Sequence, residues 1–313
     1  MVQVYREPLC RRYYGSLLGE AALFRAGAYL AAIVLALVVA YATGGFWVRI
    51  KPTNVQATVH YTNDALLVFE GLQSGQTLVW STSQAINAEF SAHYVPAIVE
   101  VSEEDINDDG KPDFINFRAS IGAGFPIHSV KALLQFHYSL SGNIKLDMYS
   151  LGYLAHSSPV QGSVLFADGE LVLQAKNQIR DRQYNAIYNV PMLNSTTPSV
   201  QVAVQPTIEF ELQSILKAYL DRNYTTLYTN QYPVWMGGSR NGFELDMRIR
   251  IPPNQIVHYR PQVIEMLKGG WIQWLATFIV LWYLLQWAEW FVFVFRLVET
   301  RVVLDTQPKR QRF

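Results

Sequence analysis

Gly269-Gly270-Trp271-Ile272-Gln273-Trp274-Leu275-Ala276-Thr277-Phe278-Ile279-Val280-Leu281-Trp282-Tyr283-Leu284-Leu285-Gln286-Trp287-Ala288 carries no formal charge and lies between Lys268 and Glu289. At ~1.5 Å per residue such a run crosses the ~30 Å hydrocarbon core of a bilayer, so it predicts a transmembrane helix. Trp271, Trp274, Trp287 and Trp290 cluster toward its ends, where amphipathic indoles favour the membrane–water interface. The run holds no Asp, Glu, Lys, Arg or His, which argues against ion conduction or proton relay by a single chain. Gln273 and Gln286 are polar handles for bonds to a neighbouring helix, and Trp282 faces lipid or such a neighbour.

A second uncharged run, residues 26–48, matches the first and divides the chain. The predicted organisation is an amino-terminal cytoplasmic tail (1–25), a first span (26–48), an extracytoplasmic β-rich domain (49–268), a second span (269–288) and a carboxy-terminal cytoplasmic tail (289–313). Ala40-Tyr41-Ala42 has the small-x-small form that a signal peptidase cleaves. The long tail before it, the length of the apolar run and its continuation to Phe46-Trp47 favour a retained anchor. Within this span Ala28, Ala32, Ala36, Ala40 and Gly44 recur at every fourth residue, a ridge of small side chains that lets another helix approach closely. The partner in the same chain is the second span.

Composition fits this frame. The chain has 313 residues, half of them hydrophobic and 16% charged, too apolar for disorder and too polar for a many-span channel. The formal net charge is zero, which offers nothing to nucleic acid. It hides an asymmetry: the tails hold nine Lys/Arg against five Asp/Glu, the loop sixteen against twenty. Short basic tails stay cytoplasmic, although Arg248, Arg250, Arg260 and Lys268 crowd the far side of the second span. The sole cysteine, Cys10, lies in the amino-terminal tail as a free thiol or a palmitoylation site, so the loop domain has no disulfide and stands on its core. Two acceptor tripeptides, Asn194-Ser195-Thr196 and Asn223-Tyr224-Thr225, fit glycosylation of a loop outside the cytoplasm.

Between the spans the pattern turns to strands. Ala57-Thr58-Val59-His60-Tyr61, Ala65-Leu66-Leu67-Val68-Phe69 and Thr77-Leu78-Val79-Trp80 are short β-branched or aromatic runs bounded by turn residues. Residues 129–140 and 143–154 form a hairpin around Ser141-Gly142, and residues 162–166 and 170–173 form another around Asp168-Gly169. Phe243, Leu245, Met247, Ile249 and Ile251 alternate with Glu244, Asp246, Arg248 and Arg250, a strand with one buried and one solvated face. Leu212, Ile215, Leu216, Tyr219 and Leu220 instead follow helical spacing. The fold expected is a mainly β, antiparallel sandwich or jelly-roll-like domain with one helix, held between two transmembrane helices.

One local motif carries metal chemistry. Asp105-Ile106-Asn107-Asp108-Asp109-Gly110-Lys111-Pro112-Asp113 places side-chain oxygens at alternate positions. With the Lys111 carbonyl, Asp105, Asn107, Asp109 and Asp113 would make a Ca²⁺ cage in a β-hairpin loop. Asn116 stands where an EF-hand needs its bidentate Glu, and the flanks read as strands. The competing reading is a solvated acidic turn that needs no ion. The six histidines are scattered without zinc spacing. No nucleophile elbow, Walker loop or dinucleotide fingerprint is present. His156 beside Ser157-Ser158, with Asp147, does not make a triad by adjacency. No enzymatic activity is therefore expected.

The order of several pieces resembles the transmembrane protein 231 family: Gly45-Phe46-Trp47; Trp80-Ser81-Thr82; Glu103-Glu104-Asp105 leading into the Asp109-Gly110 turn; Ala218-Tyr219 with Arg222-Asn223 and Thr225-Thr226; Pro233-Val234-Trp235; Tyr259 and Pro261; Glu265-Met266; and Trp271 with Gln273. The resemblance runs from the first span to the second and thins between residues 121 and 162. It implies a non-enzymatic scaffold of the ciliary transition zone, in the Meckel-syndrome module that controls which membrane proteins enter the cilium. Both termini would be cytoplasmic and the β domain extracellular. Implied partners are membrane lipids and, in a multi-subunit complex, tectonic, meckelin and B9-domain proteins. Two other readings compete: a β-sandwich receptor with a ligand-binding or carbohydrate-binding ectodomain, and a membrane-tethered hydrolase, which would need convergent titratable groups in a pocket.

Overall fold

The computed structural model describes residues 11–16, 19–44, 46–73, 75–181, 183–193, 208–238 and 242–304. In chain order the elements are β1 (Arg11–Tyr14), α1 (Glu20–Ala42), β2 (Lys51–Val55), β3 (Thr58–Glu70), β4 (Thr77–Ser81), α2 (Gln84–Glu89), β5 (Ala97–Glu104), β6 (Phe114–Ile121), β7 (Ile127–Leu140) and β8 (Lys145–Ala175). They continue with β9 (Ile179–Arg180), β10 (Tyr184–Asn185), α3 (Ile208–Leu220), β11 (Tyr224–Asn230), β12 (Val234–Gly237), β13 (Phe243–Arg250), β14 (Gln255–Arg260), α4 (Val263–Val294) and β15 (Arg301–Leu304). Two units separate: one from Met1–Arg49 with Pro261–Phe313, the other from Ile50–Arg260.

The first unit is a pair of long apolar helices, α1 and α4, each long enough to cross a membrane. Helix α1 takes in Glu20 and Arg25 and stops at Ala42, short of the end of the uncharged run. Gly44 ends it by adopting φ +78°, a left-handed conformation that closes a helix and that a Cβ would strain. Helix α4 extends past the uncharged run on both sides and includes Glu265, Lys268 and Glu289. Its 32 residues reach about 48 Å, so its ends outrun the ~30 Å hydrocarbon core. Beyond the helices, β1 and β15 pair antiparallel, Arg11 opposite Leu304 and Tyr14 opposite Arg301.

The second unit is mainly β. Its principal sheet runs β4-β3-β7-β8-β13-β6-β5. It curls until its two edges nearly meet. Val79 bridges Tyr94, and the Glu103 carboxylate accepts from the Tyr61 amide at 2.8 Å and lies 2.9 Å from His60 Nδ1. Ile115, Phe117, Ala119 and Ile121 on β6, with Phe243, Leu245, Met247 and Ile249 on β13, fill the interior, as the alternation predicts. The run Ala65-Leu66-Leu67-Val68-Phe69 is buried throughout, because both sheet faces are covered there. Leu67 and Phe69 point to the interior; Leu66 and Val68 meet Ile86 of α2 and Ile208, Leu212 and Tyr219 of α3 on the other side. The domain's first and last strands, β2 and β14, pair antiparallel, so its two chain ends leave side by side.

Several details depart from the sequence reading. Asp168-Gly169 is not a turn: β8 runs unbroken through it, antiparallel to β11 and parallel to β13. A Cβ on Gly169 would lie 2.6 Å from the Thr229 carbonyl oxygen and 2.7 Å from the Tyr228 ring, so the glycine serves close packing. The Asp168 carboxylate is held by Arg250, at 2.9 and 3.0 Å. A short second helix, α2, joins the predicted one. In α3 the apolar stripe begins earlier, at Ile208, and Leu220 is exposed at the helix end instead of packed.

Candidate functional site

The surface that the sequence singles out is the seam between α1 and α4. Ala32, Ala36 and Ala40 are buried in it, Ala36 and Ala40 completely. Ala28 is half-buried, while Gly44 lies exposed beyond the helix end and terminates α1 without packing in the seam. The small side chains admit α4 closely enough for its polar groups to reach the α1 backbone. Thr277 Oγ1 lies 3.1 Å from the Ala36 carbonyl oxygen, and Trp274 Nε1 donates to the Ile33 carbonyl at 3.4 Å. Trp282 stacks on Tyr29 with ring centroids 5.0 Å apart, which settles its neighbour as a helix. At one end Arg25 Nε sits 3.8 Å from Glu289 Oε1. Gln273 Oε1 is buried without a hydrogen-bond partner among the described residues, and Gln286 is exposed. Each helix spends one stripe on the other; Leu30, Leu37, Ile279, Val280, Tyr283 and Leu284 point outward.

The acidic loop closes on itself. Asp105 Oδ2 accepts from the Gly110 amide at 2.8 Å, Asn107 Oδ1 from Asp109 at 2.9 Å, Asp109 Oδ1 from Lys111 at 2.9 Å and Asp113 Oδ2 from Ile106 at 3.0 Å. Asp108 and Gly110 take positive φ to make the bends. Among the described residues no group of three or more His, Cys, Asp or Glu side chains is placed to hold a metal ion. As folded, these side chains accept from the loop's own amides, the pattern of an Asx-rich acidic turn.

Of the two sequons, Asn223 is exposed in the turn between α3 and β11, its Oδ1 accepting from Asn177 at 3.1 Å. Asn194, Cys10 and Gly45 lie outside the described residues, as do residues 305–313 of the carboxy-terminal tail. Four of the histidines have polar partners: His60 with Glu103, His93 with the Thr77 carbonyl, His128 with the Ser158 carbonyl and His137 with Asp147 at 2.7 Å. A groove of about 590 Å³ lies on the solvated face of β5, β6, β13 and β8. Its charges are partly paired, Arg118 reaching Asp246 at 3.1 Å and Glu244 at 3.3 Å.

Sequence reasoning missed the polar clamps of the β domain. Tyr219 Oη lies 2.6 Å from the Thr226 amide, 2.9 Å from Thr226 Oγ1 and 3.2 Å from the Leu151 amide, tying α3 to β8 and β11. Next to it the Arg222 guanidinium donates to the Tyr149 carbonyl and lies over the Tyr188 and Tyr219 rings. Burial lowers its pKa from the ordinary value, opposed by the two tyrosines. Gln135, fully buried, donates to Asp64 at 2.7 Å and accepts from Met192 and Leu193. Trp235 donates to the Val160 carbonyl at 2.9 Å and covers Gly162, where a Cβ would meet the indole at 2.3 Å. Ser81 and Thr82 both bond to the Ala65 backbone. Tyr219, Arg222, Thr226, Trp235, Ser81 and Thr82 all belong to the pieces that carry the family resemblance. Their roles are architectural.

Two apolar helices flanking a large β domain define a two-span membrane protein. A family model described as Transmembrane protein 231 matches residues 1–302, and the chain belongs to that family. It is 30% identical to Transmembrane protein 231 of Homo sapiens over 311 residues, 98% of this chain and 96% of that one. The Gallus gallus protein of the same name is 30% identical over 313 residues, 98% and 95% of the two chains. A solved structure titled as a cryo-EM structure of a proton-activated chloride channel aligns at TM-score 0.23 and 9% identity, over 85% of this chain and 99% of that one. A likeness of that size assigns neither fold nor function.

Proposed function

We propose that the protein is a non-enzymatic membrane scaffold of the ciliary transition zone, contributing to the barrier that controls ciliary membrane composition and to cilium assembly. Both termini are cytoplasmic and the β domain is extracellular in this reading. Tectonic, meckelin and B9-domain proteins are its partners, as the family resemblance implies. The observation that supports it most is correspondence with the family over nearly the whole chain, spans included. The α1–α4 seam suits the role: it joins the helices through one stripe each and leaves apolar sides free for lipid or neighbouring subunits.

Immunolocalisation tests the reading. Enrichment at the ciliary base is expected, and a uniform plasma-membrane or endoplasmic-reticulum signal would overturn it. Copurification from detergent with several other membrane proteins separates a scaffold from a receptor that binds its ligand as a lone chain. For topology, glycosidase-sensitive mass on Asn223 or Asn194 is expected; protease digestion of the loop in sealed cells only after permeabilisation would place it in the cytosol instead.

A further inference from the structure

Both ends of the helix pair continue into one small ribbon, β1 with β15, and the two faces of that ribbon differ. Residues opposite each other across an antiparallel pair point to the same side, so Tyr13 and Val302 share one face and Tyr14 and Arg301 the other. The first face packs down: Tyr13 lies 5.8 Å from Phe293 of α4, which in turn meets Phe24 of α1 at 6.3 Å. The second face is open, with Tyr14, Arg301 and Val303 exposed. Between α4 and β15 the chain turns at Arg296, which takes φ +53° and is exposed between Phe295 and Leu297, each at least 60% exposed.

Charge is unevenly satisfied here. Arg25 has Glu289, but Arg296 and Arg301 have no ion-pair partner among the described residues. The rest of the two tails adds Arg6, Arg11, Arg12, Lys309, Arg310 and Arg312 in the sequence, against Glu7, Glu20, Glu299 and Asp305. Arg296 and Arg301, without carboxylate partners among the described residues and interleaved with exposed aromatic and aliphatic side chains, sit at the ends of two membrane-crossing helices. That combination is chemically matched to the polar–apolar boundary of a bilayer carrying negative headgroups. A guanidinium presents its donors in a planar fork that fits phosphate oxygens in pairs.

We propose that the open face of the β1–β15 ribbon, with the Arg296 turn, is a binding surface for the anionic phospholipid headgroups of the membrane that α1 and α4 cross. It makes the paired tails an interfacial anchor and a lipid-selective element. The inference rests on the two-span fold alone and stands or falls apart from any ciliary role.

The test uses the full chain reconstituted in phosphatidylcholine vesicles containing roughly one-fifth phosphatidylserine, with spin-labelled phosphatidylserine and phosphatidylcholine compared for motional restriction by the protein. Phosphatidylserine is expected to associate about five-fold more strongly, the size of one arginine's attraction near a charged surface. The preference should fall when salt is raised from about 0.05 M to about 0.5 M. It should shrink in an Arg296→Gln, Arg301→Gln double variant and persist in Arg296→Lys, Arg301→Lys. Equal association of the two lipids by the unaltered protein, or a preference indifferent to salt, overturns the proposal whatever the variants do. So does a preference that survives in the glutamine variant.

Discussion

Thr277 Oγ1 lies 3.1 Å from the carbonyl oxygen of Ala36, one helix touching the backbone of the other. The same hydroxyl lies 3.1 Å from the Gln273 carbonyl and 2.9 Å from that of Trp274, and it has one proton to give. The bond between helices is therefore shared with two inside α4, and its net worth is small. Thr277→Val keeps the shape and should cost about 0.6 kcal/mol or less of helix association. Ala36→Leu should do far more, because Ala36 is completely buried and a longer side chain must push the helices apart. Cysteine cross-linking between α1 and α4 in membranes checks both: Thr277→Val should cross-link almost as the parent does and Ala36→Leu much less. The reverse order would mean that the hydroxyl, not the close approach, holds the seam.

A second prediction concerns the tie between α3 and the sheet. Removing the Tyr219 hydroxyl leaves the buried Thr226 and Leu151 amides without that acceptor and takes a partner from Thr226 Oγ1. Tyr219→Phe should cost on the order of 1–3 kcal/mol, since an unsatisfied buried donor forfeits its desolvation cost. Thermal unfolding of the detergent-solubilised protein should show it as a loss of several degrees. Leu220→Ala, at an exposed position on the same helix, should change little. A Tyr219→Phe protein as stable as the parent would show that water reaches these amides.

The sequence carried the parts of the fold that depend on periodicity. Strand β13 alternates as read, and the two helices follow from uncharged length. Asp168-Gly169 misled because a glycine demanded by close packing has the same letters as one demanded by a turn. What decides between them is Tyr228, distant in the sequence. The clamp of Gln135 on Asp64, Met192 and Leu193 was illegible for the same reason: its partners lie 71, 57 and 58 residues away. Sheet closure was equally hidden, since it rests on Val79 with Tyr94 and on a single carboxylate, Glu103, capping Tyr61. The family pieces were legible as residues but not as roles, because Trp235 or Ser81 in a short motif gives no sign that it fits a backbone group on another strand.

The acidic loop offers a third test. Asp105 accepts from the Gly110 and Asp109 amides, so the turn has its own use for this carboxylate without an ion. Asp105→Ala should lower stability by about 1 kcal/mol, and by the same amount in chelator as in millimolar calcium. Calorimetric titration of the purified full chain should show no calcium heat. A calcium-dependent rise in the parent's melting temperature, absent in Asp105→Ala, would favour the cation reading over the ion-free turn.

Glu211 on α3 gives a pH signature. Burial raises its pKa above the ordinary 4.5, and the neighbouring Glu89 carboxylate raises it further. Below about pH 4 the group is protonated in folded and unfolded chains alike, so it contributes nothing to the pH dependence. As pH climbs past the ordinary value the unfolded chain ionises first, which draws the equilibrium toward unfolding, and the penalty is complete once the folded group has ionised too. Glu211→Gln should therefore raise the melting temperature at pH 7 and leave it unchanged near pH 4. The group is partly exposed, and solvent screening keeps the gain to about 1 °C. Glu89→Gln should move stability in the same direction by less, because repulsion is the smaller of the two causes. A gain of equal size at both pH values would trace the effect to packing of the amide and not to charge.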